Sequence, residues 1–263
     1  SYKPHWERVT MFRAAFGYYF QPPFLKEMVA TNGQFYSHLK AQEAIHYMLG
    51  ADYYLKIWER PFKLTVESYY KDLRRITPYI IENVKTQYLP EKTGKAYVAG
   101  IDMKLNGEFI KGTDSWVSLS LMKTEEKIEG SSAGWTRRPT DQRVNLGVYF
   151  QDYLPWDSTY KMSLTMFYGT KVPGNLPNET MSVEKVKMLP AYQRVDIGFS
   201  KQIIAETDEI ITDKKGLKSL WVGVEILNLL DLYNTVSYFW VQDVQGYYYP
   251  TPNYLTGRIF NLK

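Results

Sequence analysis

The stretch RVNLGVYFQDYLPWDSTYKMSLTMFYG, residues 143–169, alternates apolar and polar side chains, breaks at Pro155–Asp157, and alternates again. Period two marks a strand with one apolar face, and two such runs around a short turn predict a β-hairpin. The same period recurs in ten segments, 10–20, 42–56, 62–71, 95–107, 114–123, 142–151, 160–169, 193–203, 219–228 and 254–263. Helical periodicity is nowhere sustained. In SWVSLSLMK, Val117, Leu119 and Leu121 oppose Ser118 and Ser120; in RVDIGFSK, Val195, Ile197 and Phe199 oppose Arg194, Asp196, Gly198 and Ser200. The polar face also carries charge, at Arg13, Asp52, Lys63, Glu67, Asp102, Lys104, Arg194, Asp196 and Glu225. A dry sandwich core does not hold such groups unpaired. A wet or plugged lumen does.

The connections sharpen the choice. The long ones, 21–41, 72–95, 124–141, 170–192 and 229–253, alternate with the short ones, 57–61, 108–113 and 152–159, while 204–218 is of middling length. Loops beyond about 12–15 residues are uncommon in compact domains, and a soluble sandwich has no reason to gather every long one at one end. An up-and-down transmembrane barrel does, with short turns inside the envelope and long loops outside. A soluble antiparallel protein with one solvated face shows the same alternation along its strands, so the strand pattern alone leaves both open. The connection pattern favours the all-β, antiparallel up-and-down transmembrane barrel.

Composition changes this picture little. The 263 residues hold 32 basic and 28 acidic side chains, a net charge of +4, too mild to point to nucleic acid. Cysteine is absent, which removes disulfides and thiolate metal sites. Mean hydropathy is −0.38, and no run reaches the ~18 apolar residues of a transmembrane helix. The 23 Tyr, 12 Phe and 7 Trp fit β-rich packing or interfacial girdles alike. Trp58, Trp116, Trp156 and Tyr160 lie beside the short turns, where amphipathic rings favour a headgroup interface.

Seven stretches, FGYYFQPPFLKEM, SWVSLSLMKTEE, RRPTDQRVNLGVYFQDYLP, TYKMSLTMFYG, PAYQRVDIGFSK, WVGVEILNLLDLYNT and PNYLTGRIFNLK, occur in order over residues 10–263. Together they resemble the C-terminal part of TonB-dependent outer-membrane receptors of Bacteroidetes type. The resemblance implies a barrel of about 22 strands around a plug, of which these ten are the last ten. A final strand running down to the periplasm makes 21–41, 72–95, 124–141, 170–192 and 229–253 extracellular, the five longest connections. Residues 1–263 then form the C-terminal barrel part, and the chain lacks the family's plug domain, TonB box, first strands and terminal aromatic residue. It is expected to be a fragment of a longer receptor.

The implied function is energised uptake of a siderophore, vitamin, glycan or peptide. The implied partners are the plug of the same full-length chain, TonB acting through the plug, outer-membrane lipid and lipopolysaccharide, and a surface lipoprotein. The polar-face charges Arg13, Asp52, Lys63, Glu67, Asp102, Lys104, Arg194, Asp196 and Glu225 would face lumen and plug. For any one of them, simple wetting of the wall is an equal explanation. Phe35, Tyr36, Trp135, Tyr238, Trp240, Tyr247, Tyr248 and Tyr249 are candidate extracellular contacts for ligand or partner, although loop aromatics more often pack loops together.

Other chemistry is thin. His5, His38 and His46 have no carboxylate or thiolate pattern of a metal site, and no cofactor motif is present. The acidic run KTEEKIEG at 123–130 reads first as a solvated loop, second as a cation or lipopolysaccharide bridge. Two further classes stay open: a scaffold within a multi-protein envelope complex and, remotely, a self-contained ten-stranded barrel enzyme.

Overall fold

The computed structural model describes residues 10–82, 85–154, 156–174, 187–204 and 219–263. The strands are β1 (Thr10–Gln21), β2 (Gln42–Ile57), β3 (Arg60–Ile76), β4 (Tyr79–Glu82), β5 (Lys85–Tyr88), β6 (Gly94–Ile110), β7 (Thr113–Ile128) and β8 (Thr136–Arg137). They continue as β9 (Val144–Leu154), β10 (Asp157–Gly169), β11 (Tyr192–Ile204), β12 (Leu220–Leu227), β13 (Thr235–Gln242), β14 (Tyr248–Tyr254) and β15 (Ile259–Leu262). One sheet runs β1-β2-β3-β6-β7-β9-β10-β11-β12-β15, with β8 on the side of β7, while β4–β5 and β13–β14 are separate hairpins. Every neighbour along the path is antiparallel.

All ten expected segments lie in this path, in the expected order. Three differences are informative. β3, expected over 62–71, runs on to Ile76, and β6 and β7 lengthen with it. Connections 72–95 and 229–253 each contain a hairpin rather than plain loop. The last segment, expected over 254–263, is only Ile259–Leu262 in the sheet, because Tyr254 belongs to β14.

Short turns set the register. β2 and β3 are joined by Trp58 and Glu59, both at positive φ (51° and 58°). That is the two-residue geometry that matches strand twist, adopted here without glycine. β6 and β7 are joined through Lys111 and Gly112, the glycine at φ 82°.

The apolar face has no cover. Phe16 is 68 % exposed, Leu49 65 %, Val222 50 % and Phe260 69 %. The buried apolar side chains, Phe62, Ile76, Leu89, Leu189 and Tyr238 among them, lie near strand ends and in connections. A chain this long in water buries a core, whereas this one turns its large apolar side chains outward across the width of the sheet. Toward the long-connection end that face carries a run of ring contacts, Phe16–Tyr47 (5.3 Å), Tyr47–Tyr70 (6.4 Å), Tyr70–Tyr97 (6.2 Å) and Tyr97–Trp135 (5.3 Å). Such a belt suits a membrane–water interface.

At the short-turn end the expected girdle is corrected at one position. Trp58 and Trp156 are 72 % and 77 % exposed, and Tyr160 is in register with the apolar-face Met162. Trp116, however, lies on the polar face, stacked on Tyr149 at 6.2 Å beneath the Lys104 ammonium. Its even position in β7 puts it with Ser118 and Ser120, so proximity to a turn misled where strand parity decides.

Candidate functional site

The polar face is organised around Asp52, whose side chain is fully buried. Register places Arg13 opposite Gly50, Gly50 opposite Glu67, and Asp52 opposite Thr65. Arg13 therefore reaches diagonally, donating to Asp52 at 2.6 and 3.2 Å and to Glu67 at 2.8 Å. The Thr65 hydroxyl donates to Asp52 at 2.9 Å, and the Lys63 ammonium lies 3.2 Å from it. One buried carboxylate thus gathers donors from the two strands that flank its own, the arrangement that lets a charge be desolvated.

The other expected polar-face charges stand apart from this cluster. Asp102 accepts from the Ser120 hydroxyl at 2.5 Å, and Lys104 caps Trp116. Arg194 donates to Asp196 at 2.7 Å, and Asp196 also accepts the Asn228 N–H at 2.8 Å. Glu225 pairs with Lys263 and accepts from Asn261. A groove of about 320 Å³ lies on the same face, lined by Tyr149, Gln151, Lys161, Ser163, Trp221 and Glu225 among others. Small residues make its floor: a Cβ on Gly198 would stand 2.7 Å from the Ser163 hydroxyl.

At the long-connection end, Asp141 is the second fully buried carboxylate. It accepts the Thr124 N–H at 2.8 Å, Arg137 Nε at 2.5 Å and Arg143 Nε at 2.8 Å. Arg138 meanwhile holds Glu126 at 3.1 Å. The run RRPTDQR thus staples connection 129–143 to the head of β7. Replacing Asp141 with Ala is expected to strand the buried Thr124 N–H, at about 1–3 kcal/mol, while Arg137 and Arg143, each about a third exposed, recover most of their loss from water. The check is proteolytic cleavage within 129–143, faster in the variant with the barrel otherwise intact; an unchanged rate would refute the staple.

A second tie sits in NLLDLYN. Asn234 exchanges two hydrogen bonds with the Gln193 backbone, at 2.9 and 2.8 Å. Asn228 accepts the Leu232 N–H and donates to the Leu232 carbonyl. Neither Asp141 nor these asparagines were singled out from sequence. The only signals were the dense arginines around Asp141 and two asparagines six positions apart.

The loop aromatics divide. Tyr238 is buried, its hydroxyl donating to the Met188 carbonyl, with Lys187 over its ring at 4.9 Å. Trp240 packs on Tyr238 at 6.0 Å. Trp135 closes the aromatic belt against Tyr97 and so belongs to the apolar face. Phe35, Tyr247 and Tyr249 are exposed, and Tyr36 and Tyr248 half-buried. At the β13–β14 tip, Asp243 accepts the Tyr247 and Gln245 N–H groups at 2.9 Å each, and those bonds hold its carboxyl below the usual carboxylate range. His46 lies tilted against the Tyr19 ring, at 4.6 Å between centroids. Among the described residues no three His, Cys, Asp or Glu side chains group as a metal site.

An exposed apolar face, an ion-paired polar face and connections that alternate in length describe a barrel wall. The family model for "TonB dependent receptor-like, beta-barrel" matches residues 1–229. The chain belongs to that family. Its strands are outer-membrane strands.

Solved TonB-dependent receptors superpose on it. The ferric-catecholate import receptor Fiu of E. coli K12 matches with a TM-score of 0.60 at 15% identity, over 97% of this chain and 32% of Fiu. The P. aeruginosa receptor FpvA, solved with a pyoverdine, gives 0.63 at 14% identity, over 97% and 32%. The copper transporter OprC gives 0.61 at 11%, over 96% and 38%. The chain therefore spans about a third of the length of these receptors, and at such identities the likeness is one of fold. No curated protein matches significantly.

Proposed function

We propose that this chain is the last ten strands of a TonB-dependent receptor that takes up its ligand in an energised step, its long connections facing the cell exterior. The observation that carries the reading is the pairing of a bare apolar face with a lumenal wall whose buried charge is neutralised within the wall itself. Such a wall offers a plug polar contacts without demanding them, so a plug can be held and still move. Arg13, Lys63, Glu67, Asp102, Lys104, Arg194 and Glu225 are the proposed plug-side contacts, with Asp52 and Asp196 positioning them. Phe35, Trp240, Tyr247, Tyr248 and Tyr249 are the proposed aromatic contacts to ligand, with Tyr36 beside Phe35; buried Tyr238 and belt residue Trp135 support them from behind.

The names of the neighbours support metal or metal-chelate cargo as the first class to test, ahead of vitamins, glycans and peptides. The proposed partners are the plug of the same receptor, TonB through that plug, and the lipids of the outer membrane. The deciding experiment compares cells with and without the full-length receptor, and with and without TonB, for accumulation of labelled ferric siderophores, cupric ion, cobalamin, oligosaccharides and peptides. One ligand lost equally in both deletions is the expected result. Uptake of every ligand unchanged by deleting the receptor would refute transport.

A scaffold role beneath a surface lipoprotein has one observation in its favour. The β13–β14 hairpin exposes Phe239, Val241, Val244, Tyr247 and Tyr249 together. Co-purification of a lipoprotein that is lost on deleting residues 236–250 would support that reading.

A further inference from the structure

The β13–β14 hairpin is held from across the rim as well as from its own base. Buried apolar side chains are few among the described residues, yet Leu189 and Tyr238 are two of them. Both lie where connection 170–192 meets the hairpin, and Met188 is the junction. Its carbonyl accepts the Tyr238 hydroxyl at 3.3 Å, and its Sδ accepts Arg137 Nη1 at 3.9 Å. Met188 also bridges antiparallel to Pro173, and the Leu189 N–H donates to the Val172 carbonyl at 2.9 Å. The backbone at the junction is therefore fixed on both sides.

All three guanidinium nitrogens of Arg137 are used. Nε donates to the Asp141 carboxylate at 2.5 Å, Nη2 to the Asp141 carbonyl at 3.0 Å, and Nη1 is left for Met188. Asp141 in turn is fully buried and takes the Thr124 N–H of β7. A contact to sulfur is weak by itself. Here the donor is already fixed by two other bonds, so little side-chain freedom is lost in making it. Arg143 meets the same carboxylate at 2.8 Å, but its other ion pair is with Glu125 and not with connection 170–192.

A run of contacts thus leads from β7 through Asp141, Arg137 and Met188 to Tyr238. Four inter-strand steps separate β7 from β12, the strand that leads into the hairpin. At about 4.8 Å per step that is roughly 19 Å of wall. The base of the hairpin is set locally, by Asn228 and Asp231 at positive φ (53° each) and by the tie between Asn234 and Gln193. Those contacts fix where the hairpin starts. How it leans along the rim is decided at Tyr238, on which Trp240 packs at 6.0 Å.

We propose that Arg137 and Met188 are positioning residues for the β13–β14 hairpin: they set, from β7, where Trp240 and the tip side chains Tyr247, Tyr248 and Tyr249 stand against a ligand. The proposal deepens the uptake reading and rests on it for the ligand, while the link from β7 to the hairpin stands on the contacts alone.

Hydrogen exchange of the full-length receptor in detergent, read peptide by peptide, tests the link without any ligand. In Arg137→Ala the amides of 235–254 are expected to exchange about threefold faster or more, the effect of cutting one arm of a contact network. Arg143→Ala, which disturbs the same carboxylate but leaves Met188 alone, is expected to keep 235–254 as in wild type. Met188→Leu, which keeps the bulk and removes the acceptor, is expected to act like Arg137→Ala; Met188→Gln, which restores an acceptor, is expected to act like wild type. Tyr238→Phe is expected to add nothing to Arg137→Ala in the double variant, since both cut one relay. Arg143→Ala and Met188→Gln also guard against a folding artefact. Faster exchange confined to 129–143, equal loosening by Arg143→Ala, or Met188→Leu exchanging as wild type would overturn the proposal. A receptor that shows the link yet imports no ligand would sink the transport reading alone, and one that imports ligand with 235–254 unmoved by Arg137→Ala would sink the link alone.

Discussion

Produced alone in an outer membrane, residues 1–263 are expected to give no heat-modifiable band at their own mass. The same residues within the whole receptor, or supplied with the rest of it in trans, are expected to give one. The sheet ends on β1 and on β15, and neither has a second strand partner among the described residues. Along β1, the backbone groups of Thr10–Gln21 that point away from β2 have no ladder to join. In hydrocarbon each unmet N–H or C=O costs several kcal/mol, so a handful exceeds the 5–15 kcal/mol by which a whole domain is usually stable. Unboiled and boiled samples run side by side measure this. A heat-shifted band at the mass of this chain would mean that β1 and β15 close on each other, and a ten-stranded barrel would replace the receptor wall.

The second large effect belongs to Asp52. Replacing it with Ala leaves the Arg13 guanidinium, the Lys63 ammonium and the Thr65 hydroxyl without their common acceptor. Breaking a fully buried ion pair costs about 3–5 kcal/mol. Arg13 and Lys63 are each somewhat more than a third exposed, so water recovers part of that, and about 2–3 kcal/mol is expected. In the whole receptor the loss is expected to lower the temperature at which the unboiled mobility disappears, by less per kcal/mol than in a small domain because the unfolding entropy grows with size. Glu67→Gln should cost much less, because Glu67 is 35 % exposed and shares Arg13 with Asp52. Asp52→Ala melting with wild type would show that the cluster contributes nothing to the wall. A double variant, Arg13→Met with Asp52→Leu, is expected to recover part of the loss, since no charge is then left without a partner.

What was legible in the sequence follows from which forces act in period two. A strand between lipid and lumen must alternate, so Val117, Leu119 and Leu121 against Ser118 and Ser120 announced both the strand and its sidedness. The polar-face charges were found for the same reason. Their partners were not, because Arg13 meets Glu67 only through a register spanning three strands. β3 was read too short because Asp72, Arg74 and Arg75 look like loop residues, although above the membrane a strand may carry charge on either face. The final strand was read too long because YYYPTPNYLTGRIFNLK alternates across its own break. There the Asp231 carboxylate accepts the Arg258 N–H and ends the connection, a long-range contact with no local signal. Asp141 stayed hidden for a like reason, since a staple is visible only once both of its ends are placed.

The order of the sheet bears on how the wall is built. Apart from the two-residue β8 on the side of β7, every strand in the path bonds only to the strands before and after it along the path, and the hairpins β4–β5 and β13–β14 stand aside from it. Contact order is therefore low everywhere except where the whole barrel must join its two ends. The wall can grow like a zipper, one hairpin at a time, each new strand templated by the last and no loop threaded through another. The slow event is left to a single seam, and whatever assembles this receptor has to guard that seam rather than guide each strand.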